Sequence, residues 1–286
     1  MSKQNEAMTT LKDEIFLLYK QRDDHYVIKV YSRGNMEEVK EVIPLPGTDP
    51  MQMTGCNTSN CLYINLRQGD SYDHEILRIS RDADHKFIIS PWIRLSDGGL
   101  KSFTANGSII IFSRRGGDHP DVVRIYKADS SLQHEMMLSR DIEALRYKNV
   151  IQKSNGNLVL AYLGLGKKRN RINLLELNLS GSVVRQFQSS VEYMYNTESF
   201  VEVADEHDRM LIGKPFEGIE LLDSEFNHLG IYSLEKPDFK LRPFSNLDRF
   251  IDLHYDRNRN EIVRLYFDWS MPTSVHVLTT FRFTEE

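Results

Sequence analysis

Six short runs rich in β-branched and aromatic residues recur along this chain at nearly constant spacing. They are EIFLLY from Glu14, CLYINL from Cys61, SIIIFS from Ser108, NLVLAY from Asn157, RMLIGK from Arg209 and EIVRLY from Glu261. Their starts lie 47, 47, 49, 52 and 52 residues apart. Self-similarity at a period of about fifty residues is the mark of stacked sheet repeats, because one such repeat cannot bury both of its own faces.

Each run keeps the same company. Ahead of most stands a shorter strand and a polar turn: MQMTGC then NTSN, SFTA then NG, VIQK then SNG, SFVEVA then DEHD, RFIDLHY then DRNR. Asn, Gly, Asp and Ser between apolar runs are hairpin signals. A third strand follows (YVIKVYS, EILRIS, VVRIYK, INLLELN, GIELLD, VHVLTTFRF), and in the first five repeats a turn and a fourth strand close the set. The repeat therefore reads a-b-c-d, four antiparallel strands, which is a propeller blade. A helical period is visible at most in residues 2–12. Six blades fill the chain. The first repeat reads from strand b and the last ends at strand c. The expected fold is an all-β, six-bladed propeller of four antiparallel strands per blade, its ring closed by N- and C-terminal strands. Residues 1–12 form a segment contributing a closing strand, and 13–286 form one propeller domain.

Charge and cysteine content narrow the function. With 36 basic and 41 acidic residues the net charge is −5, too mild for the whole molecule to bind nucleic acid electrostatically. No apolar stretch is long enough to span a membrane and no secretion signal is visible, so a cytoplasmic monomer is expected. Cys56 and Cys61 are too few for a zinc site without a nearby His pair. They read as buried thiols flanking a hairpin turn, with a redox pair as the alternative. No cofactor or metal is implied.

The segment Asp49 to Ile64, DPMQMTGCNTSNCLYI, followed by EILRIS, resembles the NHL-repeat propellers found at the C-terminal end of TRIM-type proteins. In those repeats a Pro opens the inner strand and a Leu-Tyr-Val/Ile strand follows the turn. The similarity thins in the later repeats, which keep the spacing but lose the Pro and the Leu-Tyr. The resemblance implies a non-enzymatic scaffold with one loop face used for protein or RNA. No RING, B-box or coiled coil accompanies it, so a ubiquitin-ligase activity is not implied.

In a blade, b–c and d–a loops emerge on one face, a–b and c–d loops on the other. The first face gathers Arg67, Arg114, Arg115, Lys167, Lys168, Arg169 and Arg171, with Tyr147 and Tyr195 beside them. Cations neutralise phosphates and aromatics stack unpaired bases, so these residues form the expected site for a protein or single-stranded RNA partner. The bland alternative is that such charges only keep loops solvated. The opposite face is the more acidic, with Asp82, Asp84, Asp129, Glu206, Asp208, Asp223 and Glu225 among its residues. A rival reading is a channel-site hydrolase or metal-dependent enzyme using Asp252, His254 and Glu202 on inner strands.

Overall fold

The computed structural model describes residues 7–21, 25–46, 50–67, 73–96, 99–104, 106–113, 121–139, 142, 144–164, 171–192, 200–203, 206–214, 218–232, 250–256, 259, 261–268 and 275–282. They hold twenty-three strands and no helix, so no helix there is long and apolar enough to cross a membrane. The chain divides into two compact units, Met1–Ile142 and Glu143–Glu286.

The first unit contains three four-stranded sheets, each an antiparallel meander in chain order. They are β1 (Met8–Leu11), β2 (Glu14–Lys20), β3 (Tyr26–Ser32) and β4 (Asn35–Pro44); β5 (Pro50–Cys56), β6 (Cys61–Arg67), β7 (His74–Arg81) and β8 (Phe87–Leu95); and β9 (Gly99–Phe103), β10 (Ile109–Ser113), β11 (Val122–Tyr126) and β12 (Leu132–Met137). The second unit contains β13 (Ala144–Gln152), β14 (Leu158–Gly164), β15 (Arg171–Leu177) and β16 (Val183–Glu192); β17 (Phe200–Val203), β18 (Met210–Lys214), β19 (Gly218–Leu222) and β20 (His228–Tyr232); and a three-stranded sheet of β21 (Phe250–Asp256), β22 (Glu261–Asp268) and β23 (Val275–Arg282). The fold is of the β-propeller type, and the a-b-c-d reading holds strand by strand.

The blade count differs from expectation, and closure of the ring is not seen among the described residues. Five sheets have four strands and the last has three, rather than six of four. No described sheet mixes strands from the two ends of the chain. The reason is local: Met8–Leu11, within the stretch whose sequence permits a helical period, turns back through Lys12 and Asp13 and pairs with Glu14–Leu17. All four of its residues are buried, so the first blade obtains its own strand a from its nearest neighbour in sequence.

Strands b and c are apolar almost without interruption because both of their faces are covered. On β6 the alternation is explicit. Leu62, Ile64 and Leu66 join a core shared with the first sheet, whereas Cys61 and Tyr63 join a core shared with the third. A third core lies between the sheets of β13–β16 and β17–β20. First strands neighbour each other: Gly55 of β5 donates its N–H to Thr9 Oγ1 of β1 at 2.9 Å, and a Cβ at Gly55 would stand 2.6 Å from the Thr10 carbonyl oxygen.

One turn design recurs between strands c and d. In Asp82–Lys86, Lys127–Ser131, Asn178–Ser182 and Asp223–Asn227 the first N–H donates to the fifth carbonyl, and the fourth N–H returns to the first carbonyl. The fourth residue is left-handed in each: His85 (φ 63°), Ser130 (66°), Gly181 (85°) and Phe226 (66°). Asp82, Asn178 and Asp223 each accept two further backbone N–H groups on Oδ1. Much of the acid on this face is therefore turn chemistry. Burial opposes ionisation of Asp223, but hydrogen bonds from Asn227 and Glu225 outweigh it and hold its pKa down.

The a–b turns Thr104–Ser108 and Lys153–Asn157 reuse the design with glycine at the left-handed position, Gly107 (82°) and Gly156 (87°). A Cβ at Gly156 meets nothing within 4 Å, whereas one at Gly107 lies 3.0 Å from Thr58 Cβ. Gly156→Ala should cost the backbone penalty alone, about 1–2 kcal/mol. Gly107→Ala should cost measurably more, and the two urea midpoints compared side by side check the order.

Candidate functional site

The described residues on the b–c side gather positive charge at one end of the second sheet. Arg67 closes β6 and stands opposite His74, the first residue of β7. Burial lowers the His74 pKa, Arg67 lowers it further, Asp73 opposes, and Lys101 on β9 of the next sheet again lowers it. Two cations from consecutive sheets therefore act on a single imidazole, whose buried Nδ1 makes no hydrogen bond. Arg94, at the far end of β8, is directed to Glu75 at 3.0 Å and is 81% exposed.

Other residues named from sequence fall as follows. Arg171 opens β15 opposite Glu192, half-buried, in the second unit. Arg114, Arg115, Lys167, Lys168, Arg169 and Tyr195 lie outside the described residues. Tyr147 stands opposite Tyr162 in β13, its side chain outside the described part. Asp252 and His254 stand opposite Leu265 and Val263 on β21, again with side chains outside it. Glu202 is half-buried on β17 and accepts from the Asn149 side-chain amide at 3.3 Å, an amide that also donates to the Val201 carbonyl. Strands β17 and β21 are neighbours. Trp92 meets Tyr63 and Tyr126 edge-on and donates Nε1–H to the Ala128 carbonyl at 2.9 Å.

Sequence reasoning missed a polar cleft of about 320 Å³ on the a–b/c–d side of the second unit. Its floor is an ion pair between Lys153 Nζ and Glu176 Oε2 at 2.9 Å, the side chains only 4% and 3% exposed. Lys153 also donates to the Ser224 carbonyl at 2.7 Å and lies 5.4 Å from the centre of the Phe226 ring. Asn157 donates to the other oxygen of Glu176 at 2.7 Å. Burial raises the Glu176 pKa, but the bonds from Asn157 and Lys153 prevail and hold it below the ordinary carboxylate range. Arg185 donates to the same Ser224 carbonyl and its guanidinium approaches Phe226. Asp208 receives the Ser154 N–H and hydroxyl. The rim holds Asn155, Glu206, His207 and Glu225.

The Lys153 ammonium is committed on three sides, so it fixes the two sheets rather than offering a nucleophile. The one signal in the sequence is Glu176 itself, a carboxylate inside the apolar run INLLELN.

No family model and no curated protein matches the chain. Solved structures do. A protein from Lactobacillus plantarum aligns with a TM-score of 0.54 at 11% identity, over 98% of this chain and 84% of that one. A protein of unknown function from Bacteroides caccae aligns with a TM-score of 0.54 at 9% identity, over 91% and 84%. Chaetomium thermophilum Raptor aligns with a TM-score of 0.53 at 12% identity, over all of this chain and 25% of Raptor. At these identities the likeness concerns the fold alone.

Lys153→Met leaves Glu176 buried without its cation and should cost about 3–5 kcal/mol, much of it recovered in Lys153→Met/Glu176→Leu. Because the folded Glu176 pKa is depressed, its stabilisation is present above the unfolded value of about 4.3 and is lost as pH falls through the folded value. The stability gap between wild type and Glu176→Gln should therefore narrow on acidification, which denaturant titrations at several pH values will read.

Proposed function

We propose that this chain is a non-enzymatic β-propeller scaffold that binds a single-stranded RNA or protein partner on the b–c loop side of its sheets, RNA being the better supported. The observation that carries the reading is Arg67 opposite His74 across the β6–β7 ladder, with Lys101 of the next sheet acting electrostatically on the same imidazole. Cations delivered by separate sheets set a fixed spacing along a partner, as phosphates on a flexible strand require. Arg114, Arg115, Lys167, Lys168, Arg169 and Arg171, with Tyr147 and Tyr195, extend the same chemistry in the sequence. The six-blade count and the NHL-like character belong to this proposal, on the support of the fifty-residue spacing, the Asp49–Ile64 motif and a last sheet of three strands.

A labelled pool of random single-stranded RNA, titrated by anisotropy across salt, tests it. Wild type should bind with a steep salt dependence. Arg67→Gln/Lys101→Gln should bind more weakly and with a flatter slope, by about 0.7 for each phosphate that is no longer neutralised. No binding at low salt, or an unchanged slope in the variant, removes the RNA version and leaves a protein partner.

The hydrolase reading rests on Glu202, half-buried beside the strand that carries Asp252 and His254. Calcium, magnesium, manganese or zinc held there would raise the melting temperature by mass action. A thermal scan with each cation showing no rise in wild type beyond that in Glu202→Gln sinks it.

A further inference from the structure

The hairpin of β5 and β6 carries chemistry that neither reading uses. Cys56 ends β5, Cys61 opens β6, and the two are direct partners across the ladder. Side chains of directly opposed residues leave the same face of a sheet, with Cβ atoms about 4.5–5.5 Å apart before any adjustment. That is slightly beyond the separation a disulfide takes, and hairpin ends adjust readily. Both thiols are free and buried, 2% and 1% exposed, in the core between the second and third sheets.

The surroundings are polar in a way a packing role does not need. Arg78 donates Nε–H to Cys61 Sγ at 3.2 Å, and the Cys61 thiol points to the Ser59 carbonyl at 3.1 Å. Tyr63 is wholly buried, and its hydroxyl and that of Ser59 are both shut away from solvent. Burial pushes the Tyr63 phenol up, a side-chain hydrogen bond with Ser59 and the charge of Arg78 act against that rise, and the two cysteines act with it. Two sulfurs, two buried hydroxyls and a guanidinium thus share one end of one hairpin. Three of the four turn residues, Asn57, Thr58 and Asn60, are exposed, so the sulfurs lie one turn below solvent. The turn is also packed on the next sheet: a Cβ at Gly107 would stand 3.1 Å from Thr58 Cγ2 and 3.7 Å from Cys56 Sγ.

We propose that Cys56 and Cys61 form a reversible dithiol site that a small hydroperoxide oxidises to an intrachain disulfide. The Cys61 sulfur, oriented by Arg78, attacks one peroxide oxygen and the O–O bond breaks. The sulfur becomes a sulfenic acid, and the departing oxygen takes the thiol proton and leaves as water or alcohol. The Cys56 sulfur then attacks the Cys61 sulfur, its S–S bond forms as the S–O bond breaks, and the displaced hydroxide leaves as water with the Cys56 proton. Two thiols lose two electrons in all, and the peroxide accepts them. A small oxidant suits sulfurs this buried better than a bulky disulfide does.

The full chain is treated with hydrogen peroxide, quenched, unfolded and titrated for thiols, with peptide mapping of the 56–61 segment. Loss of both thiols together, an intrachain 56–61 link and full recovery with reductant are expected. In Cys56→Ser the reaction should stop at a sulfenic acid on Cys61 that a dimedone probe captures. Arg78→Met should slow oxidation several-fold in protein whose melting curve shows it folded, and Arg78→Lys should restore part of the rate. Retention of both thiols in wild type, a link only between chains, or over-oxidation of one cysteine with the other intact overturns the proposal. The wild-type result decides it even where a variant fails to fold.

Discussion

Burial of strands b and c on both faces is the constraint from which the rest of this structure follows. A sheet of four strands has two faces, and neither can be left to water when its middle strands read FLLY or LYIN. Within each unit, neighbouring sheets therefore share cores face to face. One sheet's even positions belong to the core before it and its odd positions to the core after it, as Leu62 and Tyr63 do. A single-residue slip of β6 would exchange those sets and expose the Cys61 face to the wrong neighbour. The polar devices described above, the Lys153–Glu176 pair and the Cys56–Cys61 hairpin, sit at the margins of these cores, where one sheet's turn reaches the next sheet.

The strand pattern is legible because doubly buried strands leave a continuous apolar signal and their turns leave Asn, Gly and Asp. Strand order, hairpin positions and the fourth strands of the first five sheets can all be read directly. The first strand cannot. Met8–Leu11 is four residues of mixed character, too short for any period to declare itself. Its role is fixed by the two-residue turn at Lys12–Asp13 and by its neighbour β5. The strand a that the first repeat lacks in the sequence reading is supplied by this segment.

The site is less legible than the fold. Charge counted along loops names Arg67, but not the electrostatic coupling of Arg67 and Lys101 to His74, because Lys101 comes from a different sheet some thirty residues later. The acidic side differs from its sequence reading in kind. Asp82 and Asp223 are acidic residues, yet Oδ1 of each is occupied by two backbone N–H groups of its own turn. Glu176 stands out in the sequence as a carboxylate in an apolar run, but its partners do not, because Lys153 and Asn157 belong to another hairpin of the same sheet. Asn157 is close in space only through the β14–β15 ladder.

The second residue of the c–d turn has a role that its side chain does not reveal. The Ala128 carbonyl receives Trp92 from the preceding sheet, and the Ser224 carbonyl receives Lys153 and Arg185 from the preceding sheet. The latch between neighbours is thus made of main chain on one side, indifferent to which amino acid bears it. Substitutions can accumulate there while the sheets stay fastened. Such drift blurs the repeat in the primary structure long before it loosens the architecture, which is how blades in one chain come to look so little alike as text.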